Sequence, residues 1–202
     1  EQKPELPVLA AGSLLEVVLK EGEYSFPVGR VAFCNLSPMT FYEFLSACGQ
    51  ELLREQLEAK NFTQSTHGWA AELLKKYLYV GGMPKAVLNF SKTKSVIEAR
   101  GLQDEILQTY MADFSKYKKR IDLDRIARVF ASSVFHLGQK AIFQNFDTLS
   151  KPRDVRRILE LLIDVRVLIA CHHCEANGVP LEATRDEQVF KLFFLDVGLL
   201  NA

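Results

Sequence analysis

The chain has 202 residues, 48% apolar and 25% charged. Those ordinary globular proportions exclude a disordered chain, a collagen-like repeat and a simple coiled coil, and the length suffices for one large domain or two small ones with a real core. Lys plus Arg number 25, as do Asp plus Glu, so no global charge draws the chain to nucleic acid; such contact needs a local basic patch. Four cysteines, Cys34, Cys48, Cys171 and Cys174, are too few for a disulfide scaffold at this length. The N-terminal residues lack the pattern of a signal peptide. The most apolar stretch, 158–171, is broken by Glu160, Asp164 and Arg166 and cannot supply the ~20 apolar residues of a membrane span. The expectation is a reducing, cytoplasmic setting with no membrane partner. The absence of an initiator Met and the apolar run over 193–200 are what a fragment of something longer would show.

In chain order, Pro7–Ala11 reads as a buried strand ending at Gly12-Ser13, and 14–19 as a short helix. Residues 21–29, with two glycines and Pro27, read as a loop, and Val31–Leu36 as a second strand. Ser37-Pro38 opens a helix whose Phe41, Phe44 and Leu45 share one face. Residues 50–60 are rich in good helix formers. From Thr66, Trp69, Leu73, Leu74, Tyr77 and Leu78 mark the apolar face of a further helix. Gly81-Gly82 ends it and Pro84 suits the first turn of the next. A long helix follows from about Ser95, with a face through Ala99, Leu102 or Gln103, Ile106, Tyr110 and Phe114.

The last eighty or so residues change character. Residues 123–137 are amphipathic, 139–146 are short and mixed, and 152–165 form a strong helix with Val155, Ile158, Leu159, Leu162 and Val165 inward. Residues 167–172 and 188–195 are β-like and are joined by a polar loop with Gly178 and Pro180. Helix, short strand, helix and then a two-stranded ribbon is the order of a winged helix-turn-helix.

Candidate chemistry is sparse. Cys171-His172-His173-Cys174 offers zinc-like ligand types, but in an extended strand neighbouring residues point to opposite faces, so the four diverge. Arg153, Arg156 and Arg157 decorate the helix that would serve for recognition, and Lys116, Lys118, Lys119 and Arg120 form a second basic run. Phosphate contact with DNA is one reading. A solvated helix face is the other, since Arg156 and Glu160 stand at i,i+4 and Asp154 suits a helix start. Ser13 reaches a phosphate or a water, or caps a helix. No G-x-x-x-x-G-K-[ST], G-x-S-x-G or H-E-x-x-H occurs, so this chain alone is not expected to be a competent enzyme.

The segments LAAGSLLEVVL (9–19), SFPVGRVAFCNLSPMTFYEFL (25–45), YVGGMPKAV (79–87), DEILQTYMADFSKY (104–117), PRDVRRILELLIDVRVLIA (152–170), PLEA (180–183) and FKLFFLDVGLL (190–200) together resemble a known family. It is that of the prokaryotic P-loop ATPases of the AAA+ class with a C-terminal domain of unknown function. The resemblance spans nearly the whole chain, and its strength lies in the order and spacing of the motifs. The family's phosphate-binding loop, its acidic strand and its later nuclease-like module have no counterpart here.

The resemblance therefore implies a mainly α fold with short β. The end of a P-loop ATPase α/β core would occupy residues 1–48, a helical lid 49–118 and a winged helix-turn-helix 119–202. The intact protein would bind ATP and magnesium and hydrolyse ATP, with neither held by this chain alone. Ser13 matches the tip of the sensor strand and Arg30 the arginine of the family's G-R motif; both are implied to act in catalysis, sensing phosphate or orienting water. Gly81, Gly82 and Pro84 match the lid motif, and Tyr110, Asp113, Lys116, Asp196 and Gly198 match positions without an assigned role. The alternative is a winged-helix module without catalytic activity, which contacts DNA through Arg153, Arg156 and Arg157 or docks a protein partner or a second copy.

Overall fold

A computed structural model describes residues 6–9, 32, 34–61, 63–114 and 122–201. Among them the fold is mainly helical with one small two-stranded antiparallel sheet. The helices are α1 (Phe41–Ala47), α2 (Glu51–Glu58), α3 (Gln64–Val80), α4 (Pro84–Thr93), α5 (Val96–Phe114), α6 (Leu123–Phe135), α7 (Phe143–Phe146) and α8 (Pro152–Asp164). The ribbon strands are β1 (Leu168–Cys174) and β2 (Arg185–Phe194), and short 3₁₀ turns cover Leu181–Thr184 and Gly198–Leu200. Among the described residues no helix is long and apolar enough to cross a membrane.

Two sequence expectations change at the start. The described residues of the expected strands, Pro7–Leu9, Ala32 and Cys34–Leu36, form no strand. A strand needs a neighbour to take its backbone hydrogen bonds, and among the described residues none pairs with either segment. The expected helix over 14–19 and the loop over 21–29 lie outside the described residues. The helix expected from Ser37-Pro38 begins instead at Phe41, where Thr40 and Glu43 form a reciprocal capping box.

The helices from α1 to α5 enclose a first core. Phe44 stacks on Phe90 at 5.6 Å and meets Tyr77 edge-on at 5.4 Å, with Val80, Val87 and Ala99 buried around them. The inward face of α3 is a correction. It runs through Ala70, Leu73, Tyr77 and Val80, whereas Trp69, Leu74 and Leu78 stand exposed. Both stripes have helical spacing, so periodicity alone cannot choose between them; the small Ala70 lets α3 lie close to Leu45 and Leu53.

A second core joins α6, α8 and the ribbon. Ile126, Val129, Ile158, Leu162, Leu168 and Leu192 are its buried centre, and Phe114 at the end of α5 reaches into it. Strand β1 runs against β2 from Leu168↔Phe194 to His172↔Phe190, then resumes at His173↔Asp186. Three residues of β2, Glu187, Gln188 and Val189, therefore bulge out of the ladder. Lys140 bridges to Lys191 on the other edge of β2, flanked by Gly138 N to Leu192 O at 3.0 Å and Ala141 N to Phe190 O at 2.8 Å.

The turn from α7 into α8 is set by Asp147, a buried carboxylate. It accepts from Ser150 Oγ at 2.7 Å, Leu149 N at 3.1 Å and Arg128 Nη2 of α6 at 3.2 Å. The Ser150 bond, opposed by burial and helped by Arg128 and Leu149, holds this carboxyl below the ordinary aspartate value of 3.8. A carboxylate with a lowered folded pKa stabilises the fold above 3.8, and that stability is lost as pH falls through the folded value. Asp147→Asn is expected to cost about 1–2 kcal/mol at neutral pH, read from urea unfolding, with the gap to wild type closing at lower pH; a gap that stays constant would contradict this role.

Candidate functional site

Helix α3 ends at the buried Val80, followed by the buried Gly81 and Gly82, and its last four carbonyls need partners. One donor is local and the others come from two distant places. Gly81 N donates to Tyr77 O at 2.7 Å. Asn201 Nδ2 donates to Leu78 O at 3.0 Å. Gln103 Nε2 on α5 donates to both Tyr79 O and Val80 O, at 2.8 and 2.7 Å.

The turn that follows is gripped by Asp196. Its carboxylate accepts from Gly82 N at 2.5 Å, Gly198 N at 2.9 Å and Leu199 N at 3.2 Å. Gly81 adopts φ +72°, and a Cβ there would overlap the Asp196 carboxylate. A Cβ on Gly198 would overlap Gln103 Nε2 and come within 2.7 Å of Gly81 Cα. On the opposite side Met39 N donates to Gly82 O at 2.7 Å and Tyr77 OH donates to Met39 O at 2.8 Å. Burial pushes the Asp196 carboxyl above 3.8, against the pull of its three N–H donors. Burial also raises the phenols of Tyr77 and Tyr110, with the nearby Asp196 charge adding to it. The result is a closed joint between the helical part and the end of the chain.

The arginines of α8 separate into two kinds. All three are exposed, but Arg156 is tied to Glu160 at 2.8 Å. Arg153 and Arg157 have no ion pair among the described residues. Asp154 of the first turn lies 3.6 Å from Arg125 of α6. The expected divergence of the Cys-His-His-Cys stretch is present: Cys171 and His173 face solvent while His172 and Cys174 are half-buried. Among the described residues no group of three or more His, Cys, Asp or Glu could hold a metal ion. Ser13, Arg30 and the basic run Lys116, Lys118, Lys119 and Arg120 lie outside the described residues.

Sequence reading missed Asn201 and Asp147, and left Gln103 as one of two choices. A signal for Gln103 exists: it is a polar residue in register with Ala99, Tyr110 and Phe114 on an otherwise apolar face. Asn201 carries no local signal, because Leu78 lies 123 residues away; Asp147 has Leu149 and Ser150 two and three residues on, but its Arg128 partner lies 19 residues back.

The family model for DUF8612, a domain of unknown function, matches residues 71–202. The chain belongs to that family. The match contains all of the joint except Met39, and all of α8 and the ribbon, whereas Ser13 and Arg30 precede it. No curated protein and no solved structure matches the chain.

Two glycines separate geometry from composition. Gly81→Ala must leave a left-handed backbone and displace Asp196, so a cost above about 2 kcal/mol is expected. Gly101, in α5 with nothing within 4 Å of its notional Cβ, should gain about 0.5–1 kcal/mol as Ala. Asp196→Ala, which leaves three N–H donors without their acceptor, should cost about 3 kcal/mol. Urea unfolding of the three variants checks the order; equal effects at Gly81 and Gly101 would rule out the joint as drawn.

Proposed function

We propose that this chain contains the end of the ATPase core, the helical lid and the winged helix of a cytoplasmic AAA+-like ATPase, a part that couples nucleotide state to the winged helix and adds Ser13 and Arg30 to an ATP site whose phosphate-binding loop and acidic strand lie elsewhere. One observation carries the reading. Two of the seven segments behind the family resemblance, those with YVGGMP and LDVGLL, meet in a single joint through Gly82 and Asp196. Motifs that share one physical contact must occur together, which is why their order and spacing carry weight. The order α6, Lys140 bridge, α7, α8, β1, β2 supports the winged-helix part.

The sequence lacks a phosphate-binding loop, and the described residues lack a metal cluster. No step of hydrolysis is therefore assigned to the described residues. The test is ATP turnover by the full-length gene product. Turnover is expected there, absent from this chain alone, and reduced roughly a hundredfold or more by Arg30→Ala. A full-length protein with an intact phosphate-binding loop and no turnover, or one indifferent to Arg30→Ala, would refute the reading.

The second reading is duplex DNA contact without catalysis. Arg153 and Arg157, exposed and without ion pairs among the described residues, favour it. Glu175, Glu182, Asp186 and Glu187 on and beside the ribbon loop work against it, because that edge would approach phosphates. Two arginine contacts predict a log K against log salt slope near −2, lost in the Arg153→Ala, Arg157→Ala double variant and little changed by Arg156→Ala. No binding at low salt would dismiss it.

A further inference from the structure

Strand β1 has two edges and one neighbour. Among the described residues the sheet holds β1 and β2 alone, and the Lys140 bridge lies on the far side of β2. The bonds on that far side fix which way each backbone group turns. Phe190 O accepts from Ala141 N and Leu192 O from Gly138 N, so these two residues of β2 face away from β1. Backbone groups alternate along an antiparallel ladder. Lys191 and Phe193 therefore face β1, and their partners Cys171 and Ile169 face β2. Ala170 and His172 turn N–H and C=O to the outer edge, where no backbone group among the described residues meets them.

That edge lacks the usual protection. Natural edge strands are blunted by charges, by proline, by a bulge or by a covering element. Strand β1 reads Leu-Ile-Ala-Cys-His-His-Cys, without Lys, Arg, Asp, Glu or Pro. The extra residues of the ribbon's bulge lie in β2. Ala170 and His172 line one cleft toward α8 and another toward the Leu181–Thr184 turn, so neither element closes over them. Ile169 and Cys171, on the outward face of the strand, are exposed.

We infer that β1 pairs edge to edge, antiparallel, with β1 of a second copy of this chain. Identical strands fit each other in three ways. A two-fold axis at Cys171, the midpoint of Leu168–Cys174, sets Ala170 against His172 of the partner subunit and pairs the strand along its whole length. Centring the axis on Ala170 or His172 leaves one end of each strand unpaired. The strand carries no charge, so self-pairing meets no like-charge repulsion. Arg166 precedes the strand and Glu175 follows it, so the antiparallel arrangement brings opposite charges to each end of the pair. The inference does not rest on the ATPase reading.

The test uses the whole chain. Pairing of one edge covers less than the roughly 1,600 Å² of a standard interface, so sedimentation equilibrium under reducing conditions is expected to show a dimer with a Kd on the order of 10 μM. Hydrogen exchange then locates the contact. The Ala170 and His172 amides should gain about fivefold or more in protection as concentration rises through that Kd, while the Cys171 amide, bonded to β2, stays unchanged. At the axis Cys171 and its copy form a non-hydrogen-bonded pair with Cα atoms about 4.5 Å apart, within disulfide range. Diamide, which takes up the two thiol hydrogens, should therefore link Cys171 to Cys171 of the partner subunit. Ala170→Pro removes an outward N–H and no bond to β2, and should weaken association about tenfold or more. A chain that stays monomeric at about 1 mM, which would leave the edge to a strand of another protein, overturns the inference. So does a dimer whose Ala170 and His172 amides exchange as in the monomer, one without the Cys171 link, or one indifferent to Ala170→Pro. The exchange and cross-linking readings need no substitution, so they decide the matter even where Ala170→Pro fails to fold.

Discussion

The last turn of α3 is the constraint on which the rest of the fold depends. The helix end leaves four carbonyls without a following turn of helix, and the buried one, Val80 O, would cost on the order of 1–3 kcal/mol if it had no donor. Local sequence supplies only one donor, Gly81 N; the others come from Gln103 and Asn201. The end of α3 is thus complete only when α5 and the final residues are in place. Asp196 extends the same logic to the following turn, where it accepts from Gly82, Gly198 and Leu199.

Helix α5 makes that constraint global. Its 19 residues span about 28 Å at the helical rise. Ala99 near its start belongs to the first core and Phe114 at its end to the second. Gln103 lies between them, against both the end of α3 and Gly198. The two cores are therefore joined by a rigid strut and a hydrogen-bonded joint rather than by a linker. A coupling role suits such an arrangement, because displacement of α3 would strain the chain around Asp196.

The module carrying α8 is held in a different way. Asp147 fixes the entry into α8 through Ser150, Leu149 and Arg128, so the helix is positioned by charge-assisted bonds as well as by the apolar contacts of Val155, Ile158 and Leu162. Its outward face mixes Arg153 and Arg157, without ion pairs among the described residues, with the interleaved Arg156–Glu160 pair. Acidic residues on and beside the ribbon loop counter the arginines, consistent with the absence of net charge in the chain as a whole.

Much of this was legible in the residues. Apolar spacing located α5, α6 and α8, Gly81-Gly82 and Pro84 marked the break between α3 and α4, and alternation set the two faces of the Cys-His-His-Cys strand. Those features depend on backbone preferences and side-chain period, which act over a few residues. Spacing did not decide which stripe of α3 turns inward, because Trp69 and Ala70 both fit a helical period and only the neighbouring Leu45 and Leu53 select the smaller. Nor did the motifs disclose that Gly82 and Asp196 touch, or that β1 keeps one edge open among the described residues. Local sterics and periodicity made most helices, their breaks and the ribbon readable from the residues, but not the two early strands, which need a pairing partner. The tertiary structure alone decided the joint, the inward faces and the open edge of β1, because each depends on which groups meet once the chain has closed on itself.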